Sequence, residues 1–300
     1  MQKYYINYAN DDFKNQQAEN ARQVKEIGGI ENVICYTPKD IDDDFYQANK
    51  KILNKTRGAG YWLWKFYIIH KTLTDPKLKD GDVLFYCDSG VNVLKDINPI
   101  YDLPEKYNQD IVLFSQTVAP EVYPDMIRSR VMMKRDAFIL MNCDEEGAYN
   151  APMVAGGYHV WRKSEKSIKF IKACLVHTCN EDILLDTPSK LGRDLPEYCM
   201  HRHDQCVLSM VAYMMGVRVI NNADDGVFDT EVKNANDKNI NFDNPKTYLI
   251  PNRVHNRGWW RRQLYKIAML PEKIAKRGGV KAYLKKKMLR KKDDENRMMF

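Results

Sequence analysis

The first half of the chain alternates short apolar runs with longer segments whose apolar positions recur every three or four residues. Residues 3–9 read as a strand. Residues 12–27 read as a helix, with Ala18, Ala21, Val24 and Ile27 at spacing three and Gly28-Gly29 as its stop. Residues 32–36 predict a second strand and 42–53 a second helix. This β-α-β-α opening predicts an α/β domain built on a parallel sheet. Residues 83–87, Val-Leu-Phe-Tyr-Cys, are apolar at every position, the pattern of a strand buried on both faces at the centre of such a sheet. Residues 111–114, 152–162, 217–220 and 246–251 add strands, and 134–141, 164–179 and 206–215 add helices. The helix at 164–179 is predicted to turn Ile168, Ile171, Cys174 and Leu175 inward. Residues 221–246, rich in Asn and Asp, read as an irregular excursion.

Polar groups cluster where these elements end. Asp80-Gly81-Asp82 turns the chain into the strand at 83–87, and Asp88-Ser89-Gly90 ends it. An open α/β sheet binds ligands beyond the carboxyl ends of its strands. Asp88 stands there, either as a holder of a metal and a phosphate or as a cap on the following turn. Upstream, Arg57-Gly58-Ala59-Gly60-Tyr61-Trp62-Leu63-Trp64-Lys65 is a glycine turn entering an aromatic helix, flanked by two cations suited to phosphate or a sugar hydroxyl. Gly156-Gly157 permits close approach of a ligand or another backbone. His203-Asp204-Gln205 opens a strongly apolar helix, and His255 follows the last strand. Asn7-Tyr8-Ala9-Asn10, after the first strand, has no glycine, which excludes a dinucleotide fingerprint and a Walker loop there.

Composition narrows the classes. The 300 residues allow one large domain or two small ones. No apolar run approaches the ~20 residues of a membrane span. The N-terminus is too polar for a signal peptide, which predicts a cytosolic protein. The seven cysteines are odd in number and include no Cys-x-x-Cys, so reduced thiols are expected. Cys199, His201, His203 and Cys206 lack the paired spacing of a structural zinc site. The net charge of +7 is concentrated: residues 261–292 carry thirteen Lys or Arg against Glu272, and residues 1–260 are left at −3. That division predicts a domain over 1–260 and a basic, amphipathic helical tail over 261–300 suited to an anionic membrane face, with nucleic acid disfavoured because no recognised module precedes it.

Taken in order, the motifs at 57–65, 81–90, 155–163 and 203–205 resemble those of GT-A fold glycosyltransferases, from the bacterial and viral enzymes that build cell-surface glycans. The resemblance covers about residues 3–260. It implies a GT-A-like, mixed and mostly parallel sheet flanked by helices. It implies a hexosyl transfer from a nucleotide-sugar, with UDP as the expected nucleotide, to a glycan or lipid-linked acceptor at the inner membrane face. Asp88 is similar to the first aspartate of the family's Asp-x-Asp motif, which binds a divalent ion, Mn²⁺ or Mg²⁺; Gly90 stands where the second would be. His255 is similar to the late histidine that completes the metal site in retaining members. Asp204 and Gln205 resemble the pair lining the sugar pocket and are the expected catalytic residues. Arg57, Lys65, Asp88, Ser89, Gly156 and Gly157 are the expected donor-binding residues. The competing readings are a non-catalytic sugar- or nucleotide-binding protein at the membrane and an aspartate-dependent phosphohydrolase. The second wants another aspartate two residues after Asp88, where Gly90 lies.

Overall fold

The strands are β1 (Lys3–Tyr8), β2 (Asn32–Tyr36), β3 (Val83–Cys87), β4 (Val91–Val93), β5 (Ile111–Phe114), β6 (Tyr158–Arg162), β7 (Val219–Ile220) and β8 (Leu249–Pro251). The six main helices are α1 (Lys14–Glu26), α2 (Asp43–Leu53), α3 (Leu63–Thr74), α4 (Arg135–Leu140), α5 (Glu165–Thr178) and α6 (Asp204–Met214). These come from a computed structural model that describes residues 1–116, 127–221 and 248–251. His255, the basic tail and most of the Asn/Asp-rich excursion lie outside the described residues.

One sheet runs in the order β2-β1-β3-β6-β5-β7, and β4 pairs with β8 in a small second ribbon. β1 pairs parallel with both β2 and β3, and β5 pairs parallel with β7. β6 runs antiparallel between β3 and β5. The fold is therefore a mixed, mostly parallel, Rossmann-like sheet flanked by helices, and β3 sits beside one parallel and one antiparallel neighbour rather than inside an all-parallel sheet. Such sheets are buried on both faces, and every residue of β3 is buried.

Alternation along β3 divides the two faces. Val83, Phe85 and Cys87 join Tyr5, Val24 of α1, Ile97 and Tyr101 in one core. Leu84 and Tyr86 join α3, α5 and α6 in the other. By the same period of two, Asp88 continues the Leu84–Tyr86 row and leaves the strand on the side of α3 and α6. The chain passes from β1 to β2 on one side and toward β3 on the other, so the sheet's switch point lies between β1 and β3, where an open sheet offers its crevice.

Three elements differ in detail from the pattern. In α1 the buried positions are Gln16, Gln17, Asn20 and Val24, whereas Ala18 and Ile27 are exposed. The helix is held by amides: Asn20 accepts from Tyr5 Oη and Asn7 Nδ2, both at 2.8 Å, and donates to the Val91 carbonyl at 2.8 Å. The strand predicted over 152–162 begins only at Tyr158, because Gly156 and Gly157 form a turn ahead of it. Residues 58–62 are not the start of a right-handed helix: all five have positive φ, from 50° at Ala59 to 99° at Gly60. Among the described residues no helix is long and apolar enough to cross a membrane.

Candidate active site

α3 is a cover helix, apolar through Phe66, Ile68, Ile69 and Leu73, and Lys65 in its first turn is drawn in with them. A buried ammonium needs partners. Lys65 Nζ donates to Asp204 Oδ2 at 2.5 Å and to the Gly156 carbonyl at 2.7 Å, and lies 3.9 Å from Asp88 Oδ1. One cation thus stands between two carboxylates of unlike environment: the Asp204 side chain is 5% exposed and that of Asp88 37%. Burial pushes the Asp204 carboxyl up from its ordinary range, and the Lys65 charge pulls it back. Asp204 opens α6, directly after His203, whose φ of 52° is unusual for a residue with a side chain.

Asp88 does not cap the turn that follows it. Its Oδ1 accepts the Tyr86 hydroxyl at 2.6 Å, and its backbone N–H donates to the Gly157 carbonyl at 2.8 Å. The glycine pair makes this approach possible. A Cβ on Gly156 would lie 2.7 Å from Gln205 Cγ and 3.3 Å from Asp204 Oδ2, and one on Gly157 would lie 3.4 Å from Asp88 Oδ2. Gln205 Nε2 in turn donates to Gln116 Oε1 at 3.1 Å. Lys65, Asp88, Gly156, Gly157, Asp204 and Gln205 are therefore one cluster at the carboxyl end of β3. Ser89, 6% exposed, follows it into β4.

Arg57 is held at a second centre. It forms an ion pair with Asp186, which also accepts the Tyr61 hydroxyl at 2.7 Å. The rings of Tyr61 and Trp62 pack on His203, at centroid distances of 4.9 and 5.7 Å, so this centre is braced against the residue preceding Asp204. Two of the residues that shape the site were not singled out in the sequence. Asp186 lies in a segment without periodicity and meets a cation 129 positions away. Tyr86 reads as an apolar strand residue, although its spacing of two from Asp88 signals a shared face.

His201, His203 and Cys206 lie close together, with Cys206 Sγ 3.5 Å from His201 Nδ1 and the two imidazoles edge to face at 5.4 Å, but their polar atoms turn to backbone carbonyls. His201 Nε2 meets the Ile183 carbonyl at 2.8 Å, His203 Nδ1 meets the Leu184 carbonyl at 3.1 Å, and Cys206 Sγ donates to the Met132 carbonyl at 3.0 Å. Cys199 is exposed. Among the described residues no group of three or more His, Cys, Asp or Glu could hold a metal ion. At Asp88, Oδ1 accepts the Tyr86 hydroxyl and is the oxygen paired at 3.9 Å with the Lys65 charge, which leaves Oδ2 for a cation. One carboxylate oxygen can serve as one ligand of an ion whose other ligands a bound phosphate and water would supply.

No family model and no curated protein sequence matches the chain. Solved structures do. The WbbM bifunctional glycosyltransferase aligns at 10% identity over 88% of this chain with a TM-score of 0.46, and the chain spans 51% of that protein, about half its length. Galactosyltransferase LgtC, solved with donor and acceptor sugar analogs, aligns at 11% identity over 88% of this chain and 94% of its own, with a TM-score of 0.40. Mouse xyloside xylosyltransferase 1 aligns at 8% identity over 74% of this chain and 84% of its own, with a TM-score of 0.41.

Proposed function

We propose that this chain is a glycosyltransferase that moves a sugar from a nucleoside-diphosphate donor, with UDP as the expected nucleotide, to a hydroxyl of a glycan or lipid-linked acceptor. The observation that carries the reading is the cluster itself. A buried lysine, a half-exposed aspartate, a glycine pair and an Asp-Gln pair meet at the carboxyl end of β3, beside the switch point of the sheet.

The residue types suit glycosyl transfer. As the sugar leaves, negative charge grows on the diphosphate and positive charge on the anomeric carbon. The Lys65 cation and a divalent ion on Asp88 favour the first, and the Asp204 carboxylate and the Gln205 amide oxygen favour the second. Gly156 and Gly157 leave room for a sugar ring against the backbone. The ion, Mn²⁺ or Mg²⁺, would be held by Asp88 and would supply electrostatic stabilisation of the leaving diphosphate. No described side chain takes the place of a second carboxylate at Gly90, and the phosphates of the donor would complete the set.

The test is calorimetric titration of the full chain with UDP in Mn²⁺, repeated on Asp88→Asn. Tight, Mn²⁺-dependent binding that the substitution weakens by more than about tenfold is expected. Absence of Mn²⁺-dependent binding by the unaltered chain overturns the reading. A screen of nucleotide-sugars for slow hydrolysis then identifies the sugar and separates the enzyme from a protein that binds nucleotide without turnover. The anomer formed with acceptor, read by NMR, is expected to be the retained one.

A further inference from the structure

Asp88 is a half-exposed carboxylate at the end of a fully buried strand, and rotation about its last bond exchanges its two oxygens. The Tyr86 hydroxyl, 2.6 Å from Oδ1, donates to that oxygen and so opposes the exchange. Tyr86 is itself fixed. It is wholly buried, its ring stacks on His159 with centroids 5.3 Å apart and planes 22° apart, and the Lys65 ammonium lies 5.5 Å from its centroid. His159 is the antiparallel register partner of Tyr86 across the β3–β6 pair, so the stack belongs to the sheet and not to a mobile loop. The Lys65 charge, with Nζ 3.9 Å from the same Oδ1, favours that oxygen on this side, and Oδ2 is turned to the side of Gly157.

We propose that Tyr86 is a positioning residue for cation binding: its hydroxyl locks the Asp88 carboxylate so that Oδ2 alone is presented to the metal–diphosphate of the donor. The inference rests on the donor-binding reading above and extends it. A pair of carboxylates fixes a cation by geometry. Here position 90 is a glycine, and a single carboxylate free to turn would bind an ion poorly, because part of the binding free energy would go into freezing it. A tyrosine two residues earlier on the same strand face supplies the missing constraint without adding negative charge beside Asp204.

Mn²⁺ binding to the full chain in saturating UDP, followed by electron paramagnetic resonance, tests this. Tyr86→Phe keeps the ring stack and the contact with Lys65 and removes one hydroxyl. The expected result is an Mn²⁺ affinity lower by about tenfold with an unchanged affinity for UDP in chelator. Asp88→Glu keeps the charge but carries the carboxylate out of register with the hydroxyl. A comparable loss is expected, with no further loss when the two changes are combined. Tyr86→Phe binding Mn²⁺ as tightly as the unaltered chain, while Asp88→Asn loses it, overturns the role of Tyr86 and leaves the donor site standing. Full Mn²⁺ affinity in Asp88→Glu overturns it too, even if Tyr86→Phe does not fold. Failure of the unaltered chain to bind Mn²⁺ with UDP overturns the donor-site reading together with it.

Discussion

Lys65 carries a charge into a helix that is otherwise packing material, and the fold tolerates it because Asp204 meets it at 2.5 Å. Both side chains are nearly out of solvent, at 3% and 5% exposed. Desolvation and attraction nearly cancel in such a pair, so its presence adds little stability, yet removing one member strands the other. Lys65→Met should therefore destabilise the chain by about 3 kcal/mol at neutral pH, and adding Asp204→Leu should restore most of it. Urea unfolding of the three proteins reads this, and a loss below about 1 kcal/mol in Lys65→Met would mean that the pair is not desolvated as the structure has it. At this scale Lys65, Asp88 and Asp204 were legible because a charge beside an apolar run is conspicuous. What each would touch was not. Lys65 meets Asp204 and Gly156, and Arg57 meets Asp186, because pairing across the chain depends on how α3 and α6 dock and no local pattern records that.

Between α2 and α3 the chain makes a left-handed turn that few sequences could sustain. Ala59, Tyr61 and Trp62 all hold φ near 50–60°, each at a cost of roughly 1 kcal/mol or more. The turn is kept because its polar groups are satisfied locally: Gly60 N–H donates to the Lys55 carbonyl at 2.8 Å, Tyr61 N–H to the Arg57 carbonyl at 2.7 Å, and Trp64 Nε1 to the Gly58 carbonyl at 2.9 Å. It delivers Tyr61 and Trp62 to His203 and starts α3 at the angle that buries Lys65. Gly60→Ala combines a φ of 99° with a Cβ only 2.7 Å from Leu53 Cα, a backbone atom that cannot step aside. A loss of about 2–4 kcal/mol is expected. Gly81→Ala shares a positive φ, 87°, but meets nothing within 4 Å, so it should lose only about 1 kcal/mol. Equal losses in denaturant titrations of the two would show that the close approach at Leu53 is not maintained. The glycines at 58 and 60 advertised a turn but not its hand. The elements themselves were mostly legible, since apolar run length marks β1, β2, β3 and β5 plainly. Direction was not: β6 reads like any other strand, and its antiparallel course is already set ahead of the glycine pair, where Val154 bridges Ser115 antiparallel. The buried stripe of α1 was misleading for a related reason, because a face of amides bonded to buried backbone carries no hydrophobic signal.

Over the whole molecule, burial of imidazoles ties stability to acidity. His159 and His201 are inside, and burial holds both well below the ordinary histidine value; the neighbouring Lys65 adds to this for His159, and His203 and then Lys134 for His201. Both rings therefore stay neutral in the folded chain under conditions where the unfolded chain protonates them. Below about pH 6.5 the unfolded state binds more protons, so stability falls as the pH falls, by about 1.4 kcal/mol per unit for each ring. Between pH 7.5 and 5.5 the two together should remove about 3 kcal/mol from the unfolding free energy. Urea titrations across that range measure the slope, and His159→Phe, which keeps a ring against Tyr86, should reduce the fall by about half. A stability flat over this interval, or unchanged in slope by the substitution, would mean that His159 takes up its proton in the folded state. That outcome would matter at the site as well, since a charged His159 beneath Tyr86 would place a second cation beside Lys65. A neutral His159 leaves Lys65 as the cation that faces Asp204 at 2.5 Å and Asp88 at 3.9 Å.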